Sequence, residues 1–138
     1  MQPVTRSLAV AIAVVLAVAC GSGGGFVDAP GAESPPPPGT FSVDWSITKS
    51  GSAATCADVG ATTVVVTLQD ESTHANSSQP FNCALNGGVS GAEFPGTYDF
   101  GFTLTGSAGI ITTGSAQTGI AIQSMMTAHV NPVVFSIP

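Results

Sequence analysis

From Thr40 onward, apolar and polar residues alternate with a period of two, the mark of strands buried on one face. Phe41, Val43, Trp45 and Ile47 are separated by Ser42, Asp44, Ser46 and Thr48, and Ser50-Gly51-Ser52 ends the run. A second strand, rich in β-branched residues, sets Thr62, Val64, Val66 and Leu68 against Thr63, Val65, Thr67 and Gln69. A third opens after Pro80 with Phe81, Cys83 and Leu85 on one side and closes at Asn86-Gly87-Gly88. A fourth carries Tyr98, Phe100, Phe102 and Leu104 inward, with Asp99, Gly101 and Thr103 outward. Shorter strands are expected over residues 110–113, 119–123 and 133–137. The last starts after Pro132 or lies at an edge, because proline has no N–H to give a ladder. Residues 122–130 are expected to make a single helical turn, since Gly119 and Pro132 bracket them too closely for a longer helix. Six or seven short strands separated by turn signals predict an all-β, antiparallel sandwich over residues 40–138, long enough for one modest core.

Upstream the pattern changes twice. Residues 8–19 are an unbroken apolar run, with Arg6 before it and Cys20 directly after it. As a helix, a run of this length covers roughly 18 Å, well short of a hydrocarbon core of about 30 Å. It therefore reads as the helical h-region of a signal peptide, residues 1–19, rather than as a membrane span. Leu16-Ala17-Val18-Ala19-Cys20 resembles a bacterial lipobox, which implies cleavage before Cys20 and acyl chains on that cysteine. The usual leucine three residues before the cysteine is replaced by Ala17, with Leu16 one step further out. Ala17-Val18-Ala19 also fits ordinary secretory cleavage, which would leave Cys20 as a free N-terminal thiol. Gly21, where an Asp would favour inner-membrane retention in Gram-negative systems, points to the outer membrane. Residues 20–39 hold six glycines and five prolines with no apolar period. They are expected to form a tether without regular structure, roughly 25 Å in root-mean-square span and stiffened by prolines 35–38.

Composition narrows the function. Lys and Arg total 2 against 8 Asp and Glu, a formal net charge of −6, so no basic patch is available to neutralise phosphates and no nucleic-acid partner is expected. With Cys20 assigned to the anchor, Cys56 and Cys83 remain, and an exported, oxidising compartment favours their pairing. In the chain-entropy picture such a bond stabilises the fold by ~3.5 kcal/mol. Neither cysteine has zinc-ligand spacing to His74 or His129, so no metal site and no cofactor is expected.

Trp45-Ser46-Ile47, then Thr55-Cys56-Ala57-Asp58-Val59-Gly60, a β-branched strand, Phe81-Asn82-Cys83 and Pro95-Gly96-Thr97-Tyr98 together resemble small bacterial lipoproteins of unassigned function, common among myxobacteria. The resemblance implies an immunoglobulin-like or transthyretin-like β-sandwich with one disulfide and no catalytic residues. A true immunoglobulin domain is disfavoured, because Trp45 precedes both cysteines and Tyr98 follows both.

Two loops carry candidate chemistry. Residues 70–79 form the most polar stretch and include Asp70, Glu71 and His74, but lack the D-x-D-x-D-G framework of a calcium loop, so a solvated loop is expected. Phe94 lies in a Gly-rich stretch just before Pro95, with Tyr98 shortly after. The favoured placement of Phe94 is as a plug in the open end of the sandwich; exposed beside polar groups, it would instead stack on a sugar or anchor a partner. No G-x-S-x-G and no Ser-His-acid spacing occurs, which argues against an enzyme. The leading expectation is a non-catalytic, lipid-anchored envelope module with a structural or protein-interaction role, its partners the membrane and an unidentified envelope protein. The alternative is a small-ligand or carbohydrate-binding module using loops 70–79 and 86–97, with Phe94, Tyr98, Asp70, Glu71 and His74 as contacts.

Overall fold

A computed structural model describes residues 33–138. The expected signal helix, the expected lipidation at Cys20 and residues 20–32 of the expected tether lie outside the described residues. Ten strands form two packed sheets: β1 (Thr40–Lys49), β2 (Ser52–Ala54), β3 (Ala61–Asp70), β4 (Asn76–Asn82), β5 (Gly87–Val89), β6 (Gly96–Gly106), β7 (Gly109–Thr113), β8 (Gln117–Ile122), β9 (Thr127–His129) and β10 (Val133–Ile137). Seven are five residues or longer, and β2, β5 and β9 have only three. The all-β sandwich is therefore as the alternation implies.

In the first sheet β1 is central. β5 and β2 pair antiparallel along one edge of it, while β9 and β10 pair parallel along the other. The offset between paired residues is 87 at Thr40↔Thr127 and 88 at Trp45↔Val133, so β9 and β10 are one strand broken by a single-residue bulge at Asn131 and Pro132. Proline sits where its missing N–H costs no ladder bond. Residues 122–130 therefore do not form a helical turn. A tight turn, closed by Met126 N–H to the Gln123 carbonyl at 3.2 Å, leads straight into β9, whose pairing with β1 captures the segment.

The second sheet runs β4-β3-β6, with β7 and β8 following one another along the far side of β6. At the junction of the two sheets Gln117 acts as a piece of backbone. Its Nε2 donates to the Asn131 carbonyl at 2.8 Å and its Oε1 accepts from the Asn131 N–H at 3.0 Å, satisfying the bulge beside Pro132.

The core is the alternation made physical. Phe41, Val43, Trp45 and Ile47 of β1, Val64, Val66 and Leu68 of β3, and Tyr98, Phe100, Phe102 and Leu104 of β6 are buried, joined by Val133 and Phe135 of β10. Two details of the expected strands differ. Thr62 is exposed because the register of β3 on β6 slips between Ala61 and Thr63, which turns Ala61 inward instead. The expected third strand over Phe81, Cys83 and Leu85 ends at Asn82, whose side chain accepts the Ala84 N–H at 3.0 Å and starts a 3-10 turn over Cys83–Leu85. Cys83 is buried within that turn and Leu85 is exposed. Residues 76–79 belong to β4, paired with β3 from Gln69↔Asn76 to Val66↔Gln79. The polar loop is thus the five-residue turn 71–75 alone, closed by Asp70 N–H to Ala75 O at 2.9 Å.

Cys56 and Cys83 form a disulfide, their Cα atoms 6.0 Å apart. Thr55 and Asp58 hold Cys56 in place by a reciprocal box. The Thr55 N–H and Oγ1–H both donate to Asp58 Oδ2, at 2.8 and 2.7 Å, and the Asp58 N–H returns to Thr55 Oγ1 at 3.3 Å. These bonds, led by the Thr55 hydroxyl, hold the Asp58 carboxyl below its usual range. Gly60, at φ 69°, closes the turn in the left-handed region that glycine adopts without strain. On the other side Trp45 Nε1 donates to the Cys83 carbonyl at 3.0 Å. The disulfide occupies the end of the sandwich where β1 finishes; the opposite end, where β1 begins, carries the candidate site.

Candidate functional site

Four segments meet at the end of the sandwich where β1 starts: residues 38–40, the turn 71–75 between β3 and β4, the segment 90–95 before β6, and the turn 123–126 between β8 and β9. Gly39 and Glu93 bond reciprocally through their backbones, both at 2.9 Å, which pins the start of β1 to the segment before β6. Ser90 supports this link: its Oγ accepts the Phe41 N–H at 2.9 Å and donates to the Gly91 carbonyl at 2.8 Å.

Between the 71–75 turn and the Phe94 segment lies a cleft of about 410 Å³, lined on one side by Asp70, Ser72, Thr73 and Asn76, and on the other by Glu93, Phe94, Pro95 and Tyr98. Phe94 is 70% exposed at its edge. The favoured placement of Phe94 as a plug is therefore corrected. Phe41, Tyr98 and Ile122 are the side chains buried at this end instead. Tyr98 is buried, and its Oη donates to the Phe94 carbonyl at 2.7 Å, fixing the backbone that displays the exposed ring.

Asp70 is the electrostatic centre of the cleft. Its Oδ1 accepts the Ser72 N–H at 2.9 Å, the Ser72 hydroxyl at 2.6 Å and the Thr73 N–H at 2.7 Å. These bonds, the Ser72 hydroxyl first, hold the carboxyl at about 2 against an ordinary 3.8. The other oxygen, Oδ2, faces Gly96, where a Cβ would stand 3.0 Å from it, so a side chain there would push the carboxylate back by a few tenths of an ångström. The Tyr98 phenol is pushed above its usual range, first by burial and then by the charges of Asp70 and Glu93. It stays protonated and keeps its bond to Phe94. Glu93 also accepts from Gln79 Nε2 at 2.9 Å.

The shift of Asp70 sets a pH expectation. A carboxyl depressed in the folded state lends stability that is present above its unfolded value and lost as pH falls through its folded one. The turn should therefore hold to below pH 3.8 and loosen as pH approaches about 2. A carboxyl carbon titration by NMR should place the Asp70 midpoint near the lower value; a midpoint near the ordinary one would mean the three bonds do not form in solution.

Of the five contacts expected from sequence, the cleft gathers Asp70, Phe94 and Tyr98 and leaves out Glu71 and His74. Glu71 bonds through its N–H to the Thr97 carbonyl at 3.0 Å, and His74 holds the turn through its own N–H to Asp70 O at 2.8 Å, at φ 58°. Neither side chain lines the cleft, and Glu71 Oε1 lies instead towards Gly119 of β8. Ser72 and Thr73 belong to the polar stretch 70–79, whereas Glu93 escapes the sequence reading although it stands next to Phe94. His129 bonds through Nδ1 to Ser42 Oγ at 2.8 Å across β1 and β9, a cross-strand polar pair beside Thr40 and Thr127. Among the described residues no group of three or more His, Cys, Asp or Glu is placed to hold a metal ion.

Compared with known proteins, the chain matches no family model, no curated protein and no solved structure.

Proposed function

We propose that this chain is an exported lipoprotein of the bacterial cell envelope, held at the outer membrane through lipid on Cys20, whose β-sandwich binds rather than catalyses. The apolar run ending at Cys20, the Gly/Pro tether after it and the resemblance to small bacterial lipoproteins support the anchor. The Cys56–Cys83 disulfide fits an oxidising compartment.

The observation that carries the binding role is Phe94, exposed beside the carboxylates of Asp70 and Glu93 in a preformed cleft. An exposed aromatic face stacks on the C–H face of a sugar ring, and carboxylates accept from hydroxyls. The local negative charge and the net −6 disfavour an anionic ligand. The ligand class is therefore a small, donor-rich molecule, with carbohydrate the best fit. On a glycan array the wild type should bind a restricted set of neutral glycans. Phe94→Ala should weaken that binding at least about tenfold while changing stability by no more than about 0.5 kcal/mol. Equal binding by both forms would remove the cleft from the function.

A role toward an envelope protein is favoured by one other observation: Leu85 and Val89 are both exposed, on the 3-10 turn and on β5. Crosslinking in intact cells, lost when both are changed to serine, would assign the interaction there.

A further inference from the structure

We propose that the end of the sandwich where the tether joins is a lipid-contact surface, with Phe94 on one flank of residues 38–40 and Met125 and Met126 on the other resting in the interfacial layer of the bilayer that carries the anchor. This rests on the lipid-anchor reading above.

The join itself places these side chains. Gly39 is bonded in both directions to Glu93, the neighbour of Phe94. On the opposite flank the Met125 N–H donates to the Pro38 carbonyl at 3.0 Å, and the Thr40 N–H donates to the Met126 carbonyl at 2.9 Å. A Cβ on Gly39 would lie 2.1 Å from the Gln123 carbonyl oxygen, so the segment is held tightly between the two flanks. Phe94, Met125 and Met126 are 70%, 83% and 58% exposed. Three large apolar side chains thus surround the point from which the chain leads back to Cys20. Met125 also occupies a left-handed position, φ 59°, where glycine or asparagine would be unstrained. A flexible, polarizable thioether in that place adapts to an irregular contact surface.

The tether makes a small patch sufficient. Eighteen residues separate Cys20 from Gly39, a chain length expected from its composition to span roughly 25 Å. A domain held that close meets the surface at an effective concentration of order millimolar, so contacts too weak to recruit a free protein are populated. Charge selects the lipid. Lys49 is the only Lys or Arg among the described residues and lies at the end of β1, away from the join, whereas Asp70 and Glu93 lie beside it. The contact is therefore apolar and favours zwitterionic over anionic headgroups. Lipid contact and sugar stacking at Phe94 exclude each other, so the ring serves the cleft only when it is withdrawn from the bilayer.

The test uses the full mature chain purified from membranes and reconstituted in phosphatidylcholine vesicles, with or without brominated acyl chains. Trp45, the only tryptophan, is buried in the core and serves as the internal reference. In Phe94→Trp, and independently in Met125→Trp, the added emission should be mostly lost in brominated vesicles while that of Trp45 is kept. Replacing part of the lipid with phosphatidylglycerol should weaken the quenching. Vesicles that carry the chain on flotation but leave both new tryptophans unquenched would overturn the lipid contact and leave the anchor standing. A chain that fails to float would overturn the anchor and this inference with it.

Discussion

Truncating Phe41 to alanine should cost about 3–5 kcal/mol, a large part of the roughly 5–15 kcal/mol that a domain of this kind holds in total. Phe41 is fully buried on β1 and packs edge-to-face on Phe100 of β6, ring centroids 5.0 Å apart at 85°, and on Phe81 of β4 at 6.2 Å and 74°. One side chain therefore ties the first sheet to two strands of the second, and the space it leaves is walled by rigid rings that collapse poorly. Urea unfolding followed by Trp45 fluorescence should show a much lower midpoint with an unchanged slope. Phe94→Ala, only fifty-three residues away in sequence, should leave the midpoint nearly where it was. Equal losses at the two positions would contradict the division between core and displayed ring.

The disulfide is the second large effect. Replacing Cys56 and Cys83 together by alanine frees a loop with a sequence separation of 27, and the chain-entropy model puts the loss at ~3.5 kcal/mol. For a domain near this size that lowers Tm by about 15 °C or more. The bond fastens the segment after β2 to the turn after β4, so amide exchange should quicken first around residues 55–60 and 82–86, at the end remote from the cleft. If the double variant keeps its Tm within about 3 °C, the Thr55–Asp58 box and the Trp45–Cys83 bond hold that end unaided.

Strands with one buried face were legible in the sequence because burial enforces the alternation: every inward residue named on β1 and β6 is in the core. What was not legible follows from pairing rather than from propensity. Asn76, Ser77, Ser78 and Gln79 are poor strand formers, yet they become strand because the turn at Asp70 delivers them to the edge of β3. Phe81-Asn82-Cys83-Ala84-Leu85 alternates like a strand, but the Asn82 side chain takes the Ala84 N–H and ends it. The strand over residues 133–137 is legible, but its parallel pairing and that of β9 with β1 join residues more than eighty apart and leave no local signal. The cleft was half visible. Asp70, Phe94 and Tyr98 were named from residue type, but their convergence depends on the Asp70↔Tyr98 register between β3 and β6. The direction in which Glu71 and His74 leave the turn is set by backbone geometry that residue types do not record.

The proposed anchor requires export and lipid on Cys20, alongside the bond between Cys56 and Cys83. Intact mass spectrometry of the mature protein from the membrane fraction, before and after reduction, measures both at once. The account predicts a chain beginning at Cys20, heavier than its sequence by the mass of two or three acyl chains with glycerol, and a gain of two hydrogens on reduction. A mature chain of unmodified mass beginning at Cys20, or one still carrying residues 1–19, would contradict it.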